Sequence, residues 1–235
     1  MKKVIHILIA FLVLSCGKEE DVVRTFELRE FKKIEFDDSF QVVFHTSNDF
    51  RIIATGTERF TEDLDVIMDG DSVKVDNGAR AAWLRPESNK VRLDIYCDSL
   101  SQIKANESCE MSTADTLRSK DLVVIVGSKL NIADLKVNCT VFGYYNVFPC
   151  SGIMTFSGKT NQLNIWNDAL MEVAASNLKA ENAFVENRSG SNCTINVSNS
   201  LQYSILNRGN ILIQGNPLII EEIDNSGEGD LVAIP

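Results

Sequence analysis

The chain has 235 residues, 44% hydrophobic and 24% charged, which suits one or two globular domains with a sizeable buried core. Its 33 acidic residues against 23 basic ones leave a net charge of −10. That balance excludes a nucleic-acid binder, whose phosphate contacts demand a basic excess.

Residues 1–15 read as a bacterial lipoprotein signal peptide. MKK is a positive start, and the apolar run VIHILIAFLVL is too short to cross a bilayer, which takes ~20 residues. The segment ends VLSC, with Ser15 before Cys16, and so resembles a lipobox whose cysteine is acylated on sulfur and becomes the mature N-terminus. A plain signal peptide or a short buried helix would share the apolar run. Cleavage leaves 21 basic and 33 acidic residues, a charge of −12. GKEED (17–21) is similar to the tag that sends Bacteroidota lipoproteins to the cell surface; a solvated linker would read the same way. Residues 16–25 are assigned to the anchor linker, and acyl chains such as palmitate on Cys16 would supply the membrane contact.

Residues 26–97 alternate apolar and polar side chains: FELREFKKIEF, QVVFHT, FRIIATG, DSVKVDN and VRLDIYC, punctuated by SND, DGD, DNGA and RPESN. This predicts a segment of short strands, with one short helix within ERFTEDLDVI (58–67).

From residue 98 to 235 the texture is repetitive. LNIWN (163–167), AFVEN (183–187) and YSILN (203–207) superpose on a final Asn, giving Asn167, Asn187, Asn207 and, after a shorter step, Asn225 in IEEIDN. A period near 20 predicts an all-β, right-handed parallel β-helix or solenoid, in which each lap buries its apolar face only by stacking on the next. Asn tolerates tight turns and stacked amides hydrogen-bond, so these four are expected to form a ladder at one corner. Gly127 and Gly143 are placed at the same corner of earlier laps, and the lap 143–165 fits the period poorly. Residues 26–235 are also readable as one continuous unit.

The chemistry is sparse. Cys97, Cys109, Cys139, Cys150 and Cys193 remain after cleavage, an odd number without CxxC spacing. One disulfide is possible, but the alternation points these cysteines inward. His45 is the sole histidine left, which disfavours zinc and a Ser-His triad. No cofactor is expected. Asp168, Arg188 and Arg208 follow the corner Asn residues, and the two arginines are candidate contacts for a glycan carboxylate or sulfate, against the plainer reading of a solvated turn. SGEGDL (226–231) is one weak copy of a calcium-binding Gly-Asp repeat. DSV, DSL and DTL offer Ser72, Ser99 and Thr116 as O-glycosylation candidates.

FKKIEFDDSFQVVFHTSNDFRIIATGTERF, VRLDIYCDSLSQIKANES and YSILNRGNILIQGNPLIIEEIDNSGEGDLV resemble the opening hairpin, the first corner and the closing laps of the putative auto-transporter adhesin, head GIN domain family. The resemblance runs from Phe31 to Ile234, although Asn replaces the family's Ser-Gly corners except near Ser226–Gly229. It implies a solenoid-like, two-part, all-β envelope protein. The reading that follows is a lipid-anchored outer-membrane protein, exposed at the surface, acting as a non-enzymatic scaffold for a glycan or protein. The competing readings are a β-helix carbohydrate-active enzyme and a periplasm-facing structural protein.

Overall fold

The computed structural model describes residues 20–78, 91–127, 129–147 and 149–235. Strands make up 72% of the chain and helix 2%, in a β-solenoid of about six turns with laps of roughly 21 residues. The predicted signal peptide, Cys16 and most of the predicted tag lie outside the described residues.

Chain order and spatial order part company at the N-terminal end. β2 (Lys33–Phe36) and β3 (Phe40–Thr46) form one lap. The chain then runs through β4 (Arg51–Thr57), α1 (Glu58–Glu62), β5 (Leu64–Asp69), β6 (Ser72–Asn77) and β7 (Val91–Cys97). It returns as β8 (Gln102–Ala105) and β9 (Glu110–Thr113). β2 lies between β6 and β8, and β3 between β7 and β9, all parallel. The lap written first is thus the second in space. β4 pairs antiparallel with β7 and β5 with β6, closing this end of the stack. β1 (Asp21–Glu27) pairs antiparallel with β4, so the predicted linker is already strand from Asp21. Arg24 holds it there, stacking on Phe26 and donating to the Glu62 carbonyl of α1 at 2.9 Å.

The following laps run in chain order. β10 (Leu117–Val126) pairs with β11 (Lys129–Asn146), setting Leu117 opposite Val137. β11 pairs in turn with β12 (Cys150–Ser189), setting Lys129 opposite Cys150, a step one residue longer. β13 (Cys193–Ile205), β14 (Ile211–Gln214), β15 (Ile219–Asp224) and β16 (Leu231–Ala233) complete the stack. All the described strands belong to one sheet, and the repeats and the N-terminal segment share one core. The last lap, β15 and β16, has a neighbour on one side only, and Leu218 beside it is 83% exposed.

One corner shows why the laps stack. A small buried residue is followed three places on by a buried apolar one: Cys139 then Phe142, Thr160 then Leu163, Ala180 then Ala183. Phe142 lies in register with Leu122 and Leu163, so like sits on like and the core is continuous. Glycine is obligatory where the backbones approach most closely. Gly152 and Gly158 have φ of +128° and +111°, and a Cβ would fall 1.9 Å from the Asn131 carbonyl oxygen and 2.0 Å from that of Val137.

Three expectations shift. The lap 143–165 is one residue longer than the lap before it, as its poor fit to the period implies, but it stacks without a register break, with Leu163, Asn164 and Ile165 in register with Phe142, Gly143 and Tyr144. The irregularity comes one lap later, where Ala175 pairs with Ile195 but Lys179 with Asn196. Gly143 lies within a strand rather than at the corner, and Gly127 follows the residue, Val126, that pairs with Asn146.

The same slip reorganises the Asn corner. Asn167 donates to the Asn187 side-chain oxygen at 3.0 Å and to the Met171 carbonyl at 2.9 Å, and both Asn residues are buried. Asn146, unforeseen, extends this corner backwards: its side chain donates to the Asp168 carbonyl and accepts from the Asp168 N–H, each at 2.9 Å. Forwards, the shortened lap sets Ile205 beside Asn187. Asn207 falls beyond that partner, is exposed, and donates to the Arg188 carbonyl at 3.0 Å. Asn225 is exposed too and reaches Glu222. Asn187 turns instead to the Gly209 carbonyl, at 2.9 Å. Asn187→Leu strands several buried partners and is expected to cost about 2–3 kcal/mol, whereas Asn207→Leu should stay within about 0.5 kcal/mol. Urea denaturation of both variants checks this; equal losses would mean that burial at Asn187 carries no polar constraint.

Candidate functional site

The outward side of the strands just before the Asn corner carries an aromatic platform. Because side chains alternate, the residue before each buried Asn must face solvent. Two of these are Tyr145 and Trp166, direct register partners. Their ring centroids are 6.1 Å apart in edge-to-face geometry, and Phe184 lies 5.4 Å beyond Trp166. Tyr145 and Trp166 are 43% and 38% exposed, a large apolar area to leave in water.

Polar groups rim the platform. Tyr145, Trp166, Asp168, Glu186 and Arg188 enclose a shallow recess of about 300 Å³ together with Asn146 and Asn167. Arg188 Nε donates to Glu186 at 2.6 Å, which fixes the guanidinium beside the rings. Asp168 donates its backbone N–H to the Asn146 side chain, so the corner described above positions the recess. An exposed indole bordered by a carboxylate and a guanidinium suits a sugar, whose C–H face stacks on the ring while its hydroxyls reach the rim.

The other residues singled out in the sequence are dispersed. Arg208 is not part of this recess and lies against Gly190, close to Leu170. Ser72, Ser99 and Thr116 are half-buried at strand ends or turns, and Ser99 accepts a hydrogen bond from Lys32 at 3.0 Å. His45 is half-buried on the outer side of β3. It stacks on Tyr96 at 4.6 Å and meets Asp94 at 2.8 Å. Arg92, and secondarily His45, hold the Asp94 carboxyl below the usual carboxylate range. Among the described residues no group of three His, Cys, Asp or Glu is placed to hold a metal, SGEGDL included.

All five described cysteines are free and buried. Burial pushes the thiols of Cys97, Cys109 and Cys193 up to about 12 and that of Cys139 up to about 11. Thiolate is the reactive form, so native protein at about pH 8 should resist Ellman's reagent, while denatured protein should titrate these five thiols. Rapid reaction of native protein would contradict their placement in the core.

Fold and surface together define a β-solenoid whose exposed faces, rather than an enclosed cleft, carry its distinctive chemistry. The chain belongs to the family described as "Putative auto-transporter adhesin, head GIN domain", whose model matches residues 30–217. That description points to a cell-surface adhesin-like protein. Among solved structures, a "putative adhesin" from Bacteroides fragilis superposes with a TM-score of 0.80 at 14% identity, covering 92% of this chain and 98% of its own. A "putative lipid binding protein" from Parabacteroides distasonis gives 0.64 at 13%, covering 93% and 98%. A "putative adhesin" from Parabacteroides merdae gives 0.60 at 15%, again covering 93% and 98%. At such identities the likeness is one of fold. No curated protein matches the chain.

Proposed function

We propose that the chain is a lipoprotein anchored through Cys16 in the outer membrane, exposed at the cell surface, and that it serves as a non-enzymatic scaffold binding glycan through the Tyr145–Trp166–Phe184 platform. The observation that carries the binding part is the exposed Tyr145–Trp166 pair, fixed in register, with the half-buried Phe184 beside Trp166 and with Arg188, Asp168 and Glu186 at its border. The adhesin description of the family supports a role in attachment. The lipobox and the acidic tag support the anchor and its outward display. Extended ligands suit a solenoid, because equivalent side chains recur along the axis at the ~4.8 Å strand spacing.

A glycan and host-matrix array with the purified chain tests the platform. Trp166→Ala is expected to weaken binding about tenfold, the ~1.4 kcal/mol that a stacked aromatic can supply. An unchanged profile, or turnover of any arrayed polysaccharide, would overturn the scaffold reading.

Metabolic labelling with an alkyne fatty acid tests the anchor. The wild-type chain should take up label and Cys16→Ser should not. Whole-cell protease shaving then separates outward from periplasmic display.

A further inference from the structure

A second surface, one face away from the platform, has its own chemistry. Ser119, Cys139 and Thr160 are lap-to-lap partners with small side chains, and Ala180 occupies the equivalent place one lap on. They floor an axial groove of about 740 Å³. The residue before each floor position forms one wall: Arg118, Asn138, Lys159 and Lys179. The residue after each forms the other: Lys120, Thr140, Asn161 and Glu181. Arg118 pairs with Asn138 and Asn138 with Lys159, so these two cations stand two laps apart, about 10 Å at the usual strand spacing.

The concentration of charge is unusual for this chain. Many cations elsewhere pair with acids, among them Lys32 with Glu30, Lys104 with Glu35, Arg92 with Asp94 and Lys129 with Glu107, and others without a described acid partner, such as Arg29, Lys136 and Arg208, lie outside the groove. None of Arg118, Lys120, Lys159 and Lys179 makes an ion pair or a side-chain hydrogen bond with a described residue, although acids are in excess by ten over the whole chain. The acids lining the groove are Asp98 and Glu181, which leaves its four cations an excess of two. A row of unpaired cations along one wall faces Thr140 and Asn161 on the other, whose hydroxyl and amide neither repel nor attract charge strongly.

We infer that this groove binds a linear acidic glycan, lying along the solenoid axis, with its carboxylates or sulfates on Arg118, Lys159 and Lys179 and its hydroxyls on Thr140 and Asn161. An extended β-linked chain advances per sugar by close to one lap, so an acidic group on alternate sugars matches the Arg118-to-Lys159 step. The described lining of the groove has no aromatic residue, which argues against bases stacking in it. The inference does not rest on the aromatic platform, which uses other positions of the same laps: Lys159 belongs to the groove and Trp166 to the platform.

The test is calorimetry with the purified full-length chain in detergent, using hyaluronate and chondroitin sulfate as acidic probes, dextran as the neutral one, and phosphatidylglycerol vesicles as the lipid one. The acidic polymers should bind, and binding should fade as salt rises. The double variant Arg118→Glu/Lys159→Glu should lose at least about tenfold in affinity, and Lys179→Glu alone should also weaken it. All three side chains are exposed, so circular dichroism should show the fold intact. Trp166→Ala should leave binding to the acidic polymers unchanged, which separates failure of the platform from failure of the groove. Equal binding of dextran, binding of vesicles but of neither acidic polymer, no binding at all, or indifference to the charge reversals would each overturn the inference.

Discussion

The constraint on which the structure depends is lap-to-lap hydrogen bonding. In a parallel stack each backbone group finds its partner about one lap away, and a buried group left without one costs about as much as a lost hydrogen bond with its desolvation. Every lap must therefore match the length of its neighbour or absorb the difference at a corner. The near-equal steps from Leu117 to Val137 and from Val137 to Gly158 obey this rule, and the skip at Ala175–Lys179 is where an unequal lap is accommodated. Register then sets the surface as much as the core. The Tyr145–Trp166 pair and the cationic wall are aligned because the inward residues beneath them are stacked.

The solenoid and its period were legible because inward apolar residues and corner amides recur in the sequence itself. Asn167 and Asn187 announced a corner and are hydrogen-bonded there. Asn207 looked equivalent because it keeps the same interval, yet the intervening lap is short enough to put Ile205 in its place, and a sequence period cannot show which residues a bulge removes. Asn146 escaped notice for the converse reason. Its step to Asn167 is one residue longer than the next step to Asn187, and its neighbours are aromatic, so it did not align with a rigid frame. The threading of β2 brings Lys33 beside both Ser72 and Gln102, partners far off in the chain, and leaves no local signal.

The surface sites were less legible than the core, although their signals were present. Tyr145 and Trp166 each immediately precede a column Asn. Arg118, Asn138, Lys159 and Lys179 precede Val126, Asn146, Asn167 and Asn187 by one constant interval. Both rows emerge once the laps are aligned on the true corner. Arg188 was singled out and does border the platform, whereas Arg208, its apparent repeat, follows Asn207 out of register and lies elsewhere.

The displaced first lap also bears on how the chain acquires its shape as it is made. The lap at residues 33–46 lacks both of its neighbours until the chain through Cys97 and then Thr113 has emerged. From Leu117 onward each lap finds its template in the lap made just before it. Closing short loops costs less entropy than closing long ones, so order is expected to begin in the β5–β6 hairpin and in these consecutive laps, and to take in the displaced first lap last. A chain emerging N-terminus first would carry its earliest-made strands as unpaired edges, sites of promiscuous strand pairing that an escorting chaperone would have to shield.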